Sequence, residues 1–174
     1  MLNFCEATAD AARNPVSLTP GCFPLTNSPP NLYILDTDHL SLIQRNGEPG
    51  QRILAKIATV EKIQIAVTVI TYEEQIRGRI KFLSQAKTVE QQIIAYEGLQ
   101  KTAKDYCFIP ILPFDYPAAV EHQRLRKTYP RLGNMDLKIA AIALVQNATL
   151  LTCNESDFGI IQELSIENWS IHGS

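Results

Sequence analysis

The chain has 174 residues, of which 45% are hydrophobic and 20% charged; that is enough for one domain with a full core, and it excludes a disordered protein. A formal net charge of −2 rules out a bulk positive field, so a nucleic-acid enzyme of this composition needs a local basic stripe or a metal to offset phosphate charge. There is no basic and apolar leader at the N-terminus and no apolar run near the roughly 18 residues of a membrane span, so a soluble, cytoplasmic protein is expected, with no membrane partner.

Residues 1–31 differ from the rest. Pro15, Pro20, Pro24, Pro29 and Pro30 interrupt them, and no strand or helix period survives, which reads as a flexible Pro-rich extension ahead of a folded domain over 32–174. Leu32 to Leu35 form a short buried strand that stops at Asp36, followed by Asp38 and a helix-like run to Ile43. A helix is expected from about Gln51 to Val60, then a second strand from Ile63 to Val67. The next helix begins near Thr68 and carries Val69, Ile70, Ile76, Ile80 and Leu83 at helical spacing. Val89 to Tyr106 is expected to be a helix burying Ile93, Ile94, Tyr96 and Leu99. Cys107 to Leu112 reads as the third strand, Asp115 to Tyr129 as a helix with a basic end, and Asp136 to Asn147 as an Ala-rich helix. Thr149 to Thr152 is the fourth strand, Asn154 to Leu164 a loop and short helix, and Ile166 to Ile171 a last edge strand. Strand and helix alternate throughout, the pattern of a central parallel sheet flanked by helices. The cysteines (Cys5, Cys22, Cys107 and Cys153) form no C-x-x-C pair, which argues against zinc and for reduced thiols.

Four acidic positions share one kind of place. Asp36 ends the first strand, Glu73 or Glu74 lies in the opening turns of the helix after the second, Asp136 opens a helix after Gly133-Asn134, and Asp157 follows the fourth strand. In a parallel sheet these ends meet along one edge. Each alone is explained by helix capping or by the helix dipole. Together, four carboxylates cannot stay ionised in a partly dry site without a counter-charge. A hard divalent cation, Mg²⁺ or Mn²⁺, is the natural partner, and such a cluster suits phosphoryl displacement. The dense basic run Arg124, Arg126, Lys127 and Arg131 adjoins Asp136 and suits RNA phosphates or acids on a protein partner, or is simply a solvated face.

The motifs L-D-T-D-H-L, T-V-I-T-Y-E-E-Q-I-R-G, G-N-M-D-L-K-I-A-A-I-A-L and L-L-T-C-N-E-S-D-F resemble those of PIN-domain ribonucleases, specifically VapC-type toxins, over about Leu32 to Trp169. The resemblance implies a PIN-like three-layer α/β sandwich, Mg²⁺- or Mn²⁺-dependent cleavage of RNA, a homodimer and a cognate antitoxin. It implies Asp36, Glu74, Asp136 and Asp157 as metal-binding and catalytic acids, with Asn154 and Thr37 in support. Helical periodicity does not choose between Glu73 and Glu74; the family's spacing chooses Glu74. Asp38 stands where Asn is common and Cys153 where Arg or Asn is usual; Asp38 is expected to cap the helix. Three other readings compete: a PIN nuclease that processes RNA without an antitoxin, a phosphatase with an aspartyl nucleophile, and a non-catalytic binding module. The phosphatase requires a later acid pair that Gly133-Asn134-Met135-Asp136 does not supply.

Overall fold

The computed structural model describes residues 31–60 and 64–171. The Pro-rich extension therefore lies outside the described residues except for Asn31, as do Cys5, Cys22, Ile63 and residues 172–174. The strands are β1 (Tyr33–Leu35), β2 (Ile65–Thr68), β3 (Ile111–Leu112), β4 (Thr149–Leu151) and β5 (Ile166–Glu167). Between β1 and β2 run α1 (Thr37–Arg45) and α2 (Glu48–Ile57); α3 (Val69–Gln85) and α4 (Val89–Asp105) lead to β3. Helices α5 (Tyr116–Thr128) and α6 (Asn134–Val145) return the chain to β4, and α7 (Glu155–Phe158) precedes β5.

All strand pairs are parallel, in the order β3-β2-β1-β4-β5. The register explains why the centre of the sheet is apolar at successive positions. Ile34 stands beside Ala66 and Leu150, and all three feed the core under α5 and α6; Leu35 stands beside Val67 and Leu151, which feed the core under α1 and α2. Successive side chains point to opposite faces, and both faces are covered, so neither can be polar. Burying a Leu or Ile here stabilises the fold by roughly 1.5–3 kcal/mol each. The three-layer PIN-like sandwich follows from that double burial. Gly50 makes the α1–α2 packing possible, since a Cβ there would lie 2.3 Å from the carbonyl oxygen of Leu42.

Connections leave β1 toward β2 on one side, and the chain later returns to β4 on the other. The pair β1/β4 is thus the topological switch point of the sheet, where a crevice opens beyond the carboxyl ends of the strands. That is where Asp36 and the segment from Thr152 to Asp157 emerge.

Several expected elements change. The third strand shrinks to Ile111–Leu112, because Tyr106 to Phe108 turn out of α4 through bonds from Tyr106 N–H and Cys107 N–H to the carbonyls of Thr102 and Lys104. The last strand keeps only Ile166 and Glu167, since Asn168 turns back to accept bonds from Ser170. The largest correction is α4. Ile93, Ile94 and Tyr96 are 52%, 58% and 59% exposed, whereas Ala95 and Thr102 are buried. The helix contacts α3 through small residues: Arg79 of α3 lies against Gly98 and donates to the Thr102 hydroxyl. Ile93, Ile94 and Tyr96 face outward instead, together with Ile80 and Phe82 of α3, while Leu99 is half-buried.

Candidate metal centre at the switch point

Asp36 caps α1: its carboxylate accepts from Thr37 N–H at 2.7 Å and, with its other oxygen, from the Thr152 hydroxyl at 2.9 Å. Its own N–H is bonded to the carbonyl of Leu151, so the ends of β1 and β4 are locked together. The side chain is only 7% exposed. Burial first, then the charges of Asp38 and Glu74, push its carboxyl up to about 7, against the bonds from Thr37 and Thr152 that favour the ion. Glu74 sits in the second turn of α3, a helix capped by the Thr68 hydroxyl. Thr37 Oγ1 donates to Glu74 Oε2, tying the start of α1 to α3. Glu73, by contrast, is exposed and paired with Arg77 one turn on. Geometry therefore turns Glu74, not Glu73, toward Asp36.

Asp136, in the first turn of α6, is half-buried, and its carboxyl lies above the usual range because of burial, then Asp157, then Glu74. Asp157, in α7, accepts from Asn154 Nδ2 at 2.9 Å, and Asn154 N–H is held by the Thr152 hydroxyl. Glu74 thus acts on both Asp36 and Asp136, and Asp157 acts on Asp136. Four helices and two strand ends place the four carboxylates within electrostatic reach in a chain, Asp36 to Glu74, Glu74 to Asp136 and Asp136 to Asp157. Among the described residues none of the four is in an ion pair. An all-oxygen, anionic set lacking a protein counter-charge fits a hard divalent cation.

Asp38 does not cap α1; Asp36 already occupies that role. Asp38 instead crosses to the end of β4, where Oδ2 accepts from Cys153 N–H at 2.6 Å and from the Thr152 hydroxyl at 3.2 Å. Its Oδ1 meets His39 Nδ1 at 2.9 Å. His39 is fully buried, and its Nε2 accepts from Trp169 N–H at 3.2 Å. That acceptor role puts the ring proton on Nδ1, donating to Asp38. Burial opposes the Asp38 charge, but the bonds from His39 and Cys153 outweigh it and hold the carboxyl below its usual value. Asp38, His39 and the Cys153 thiol lie close enough to suggest a second cation site. The hydrogen bonds argue otherwise. A metal on Nδ1 would move the proton to Nε2, facing the Trp169 N–H donor, and burial pushes the Cys153 thiol up, away from the thiolate a metal needs.

Thr152 is the functional neighbour that sequence reasoning missed. It is fully buried and serves Asp36, Asp38 and Asn154 at once. Its signal was available: a polar residue directly after the apolar run of β4, as Asp36 is after β1. Among the basic residues, Arg124 is tied to Glu121 and Glu163. Arg126, Lys127 and Arg131 are exposed on the end of α5 and the turn leading to Asp136.

A family model for the PIN domain matches residues 33–163, and the chain belongs to the PIN-domain family. It is 30% identical over 141 residues to ribonuclease VapC1 of Haemophilus influenzae, covering 80% of this chain and 98% of that relative. Among solved structures, VapBC2 from Rickettsia felis, bound to a DNA fragment from their promoter, superimposes with a TM-score of 0.62 at 26% identity over 79% of this chain and 98% of that one. VapBC-1 from nontypeable Haemophilus influenzae gives a TM-score of 0.58 at 26% identity, over 80% of this chain and 99% of that one.

Proposed function

We propose that this chain is a metal-dependent endoribonuclease and the toxin of a type II toxin–antitoxin pair. One observation carries the reading: Asp36, Glu74, Asp136 and Asp157 gather at the switch point of a parallel sheet, and among the described residues no cation is paired to them. A relative named as a ribonuclease and structural neighbours that are VapBC pairs support the same reading. The four carboxylates would hold Mg²⁺ or Mn²⁺, hard cations that take oxygen ligands. Such an ion supplies Lewis-acid polarisation of a phosphodiester and a more acidic water.

The chain's own residues do the rest. Thr152 and Thr37 N–H fix both oxygens of Asp36, Thr37 Oγ1 orients Glu74, and Asn154 orients Asp157. Exposed Arg126, Lys127 and Arg131 offer charge to RNA phosphates or to acids of the antitoxin. Arg124, engaged with two glutamates, contributes less. The toxin acts in the cytoplasm as a homodimer until its antitoxin binds it. No helix among the described residues is long and apolar enough to cross a membrane.

Purified chain should cleave RNA in Mg²⁺ or Mn²⁺, stop in EDTA and recover when either ion is returned. Its expression should arrest growth, and the small protein encoded beside it should relieve the arrest. Cleavage that persists in EDTA removes the metal from the mechanism. Arrest that no neighbouring product relieves leaves a PIN nuclease of RNA processing.

A further inference from the structure

We infer that Gly133 is a positioning residue for Asp136, and that the side chain it lacks is the space the Asp136 carboxylate occupies. The inference rests on reading Asp136 as a metal ligand. A Cβ built on Gly133 would lie 2.4 Å from Asp136 Oδ2, closer than real Cβ contacts, and 3.4 Å from its Cγ, an ordinary van der Waals distance. Gly133 has φ −58° and ψ 138°, a conformation every residue adopts, so no backbone demand explains a glycine there. What requires it is clearance for the carboxylate.

The other three acids are held by hydrogen bonds: Asp36 by Thr37 N–H and Thr152, Glu74 by Thr37 Oγ1, Asp157 by Asn154. Asp136 accepts no hydrogen bond among the described residues. Its orientation is set by the space around it, and Gly133 forms one wall of that space.

The turn cannot yield to an added methyl group. Leu137 N–H is bonded to the Gly133 carbonyl at 3.0 Å, closing the first turn of α6. Asn134 Oδ1 accepts from Nε2 of His122, a residue of α5 that is 9% exposed and packed edge-on against Phe114. With the turn braced at Gly133 and Asn134, the clash falls on the carboxylate, which must rotate out of the position in which Asp157 and Glu74 act on it. Gly133 thus selects the rotamer that aims Asp136 into the acidic cluster, a function distinct from stability.

The test is a double-mutant cycle on Gly133→Ala and Asp136→Ala, read by Mn²⁺ binding in calorimetry, by apo melting temperature and by RNA cleavage. Gly133→Ala should weaken Mn²⁺ binding about tenfold or more and slow cleavage in step. In the Asp136→Ala background it should change Mn²⁺ binding no further. Should Gly133→Ala lower the melting temperature, adding Asp136→Ala should restore it, because the clash is with that carboxylate. Unchanged Mn²⁺ affinity in Gly133→Ala overturns the proposal, and so does equal damage in both backgrounds. If the parent chain binds no Mn²⁺, the ligand reading fails by itself. The melting-temperature cycle then still decides the steric claim: an unrestored loss, or a chain with no coupling between the two sites, overturns it.

Discussion

Asp36 is buried where charge is disfavoured, yet its proposed role needs the charge. Its folded carboxyl titrates at about 7, against an unfolded value of 3.8, with burial as the main cause. Between those values the folded chain keeps a proton that the unfolded chain has lost. Apo stability from this group is therefore full below pH 4 and falls as pH rises toward 7, by on the order of a few kcal/mol. Asp136 acts with the same sign. Asp38 acts with the opposite sign: its lowered value adds stability above about pH 4, lost as pH falls through its folded value. Asp36→Asn isolates the first effect, since Asn still caps α1. In EDTA the variant should melt as high as or higher than the parent at pH 8, with a flatter pH dependence between 4 and 7, and in Mn²⁺, where the parent cleaves RNA, it should not. Full activity would remove Asp36 from the metal. Glu74→Gln should likewise be inactive, whereas Glu73→Gln removes only an exposed pair with Arg77, worth about 0.5 kcal/mol or less, and should keep most activity. Asp38→Ala should behave differently again. It unpairs Cys153 N–H and the buried His39 ring proton, at a cost of roughly 2–3 kcal/mol in a urea titration. Asp38→Asn, which keeps one acceptor, should lose less.

Among the elements, α4 gives the sharpest contrast between pattern and packing. Its sequence offers Ile93, Ile94, Tyr96 and Leu99, but the neighbouring helix is met by Ala95, Gly98 and Thr102. Ile93→Ser and Tyr96→Ser should therefore change the melting free energy by no more than about 0.5 kcal/mol, as surface substitutions do. Ala95→Leu, forced into the α3–α4 contact, should cost about 1–3 kcal/mol. The reverse order of effects would put the large residues back in the core. The reason the sequence misled here is physical: a helical stripe says which residues share a face, not which face another element covers. The central strands β1 and β4 were legible because both sides of the sheet are covered there, so Ile34-Leu35 and Leu150-Leu151 read as unbroken apolar runs. Asp36 was legible as the residue that ends a strand, and Glu74, Asp136 and Asp157 as acids in the opening turns of helices. The bonds of Thr152 to Asp36 and Asp38, the crossing of Asp38 to Cys153 and the clearance at Gly133 were not, because each depends on a distance between atoms. For Asp38 and Thr152 the partners lie more than a hundred residues apart.

At the scale of the whole molecule, the question is how much of the chain the fold needs. Among the described residues both cores are drawn from between Leu32 and Trp169, and the match to ribonuclease VapC1 spans 98% of that relative while using 80% of this chain. Leu32 belongs to the fold on two counts: its side chain is buried, and its carbonyl accepts from Thr149 N–H at 2.9 Å. A chain beginning at Asn31 retains both contacts and every strand among the described residues. It should show one cooperative thermal transition, within about 2 °C of the full chain, and should cleave RNA at the same rate in Mn²⁺. A chain beginning at Leu35 is the control. It lacks Tyr33 and Ile34, hence most of the central strand that pairs with both β2 and β4, and it should have no cooperative transition. Calorimetry on the three chains separates the cases. Loss of the transition on cutting at Asn31 would mean that residues 1–30 contribute to the core, and the domain would then have to be redrawn from Met1.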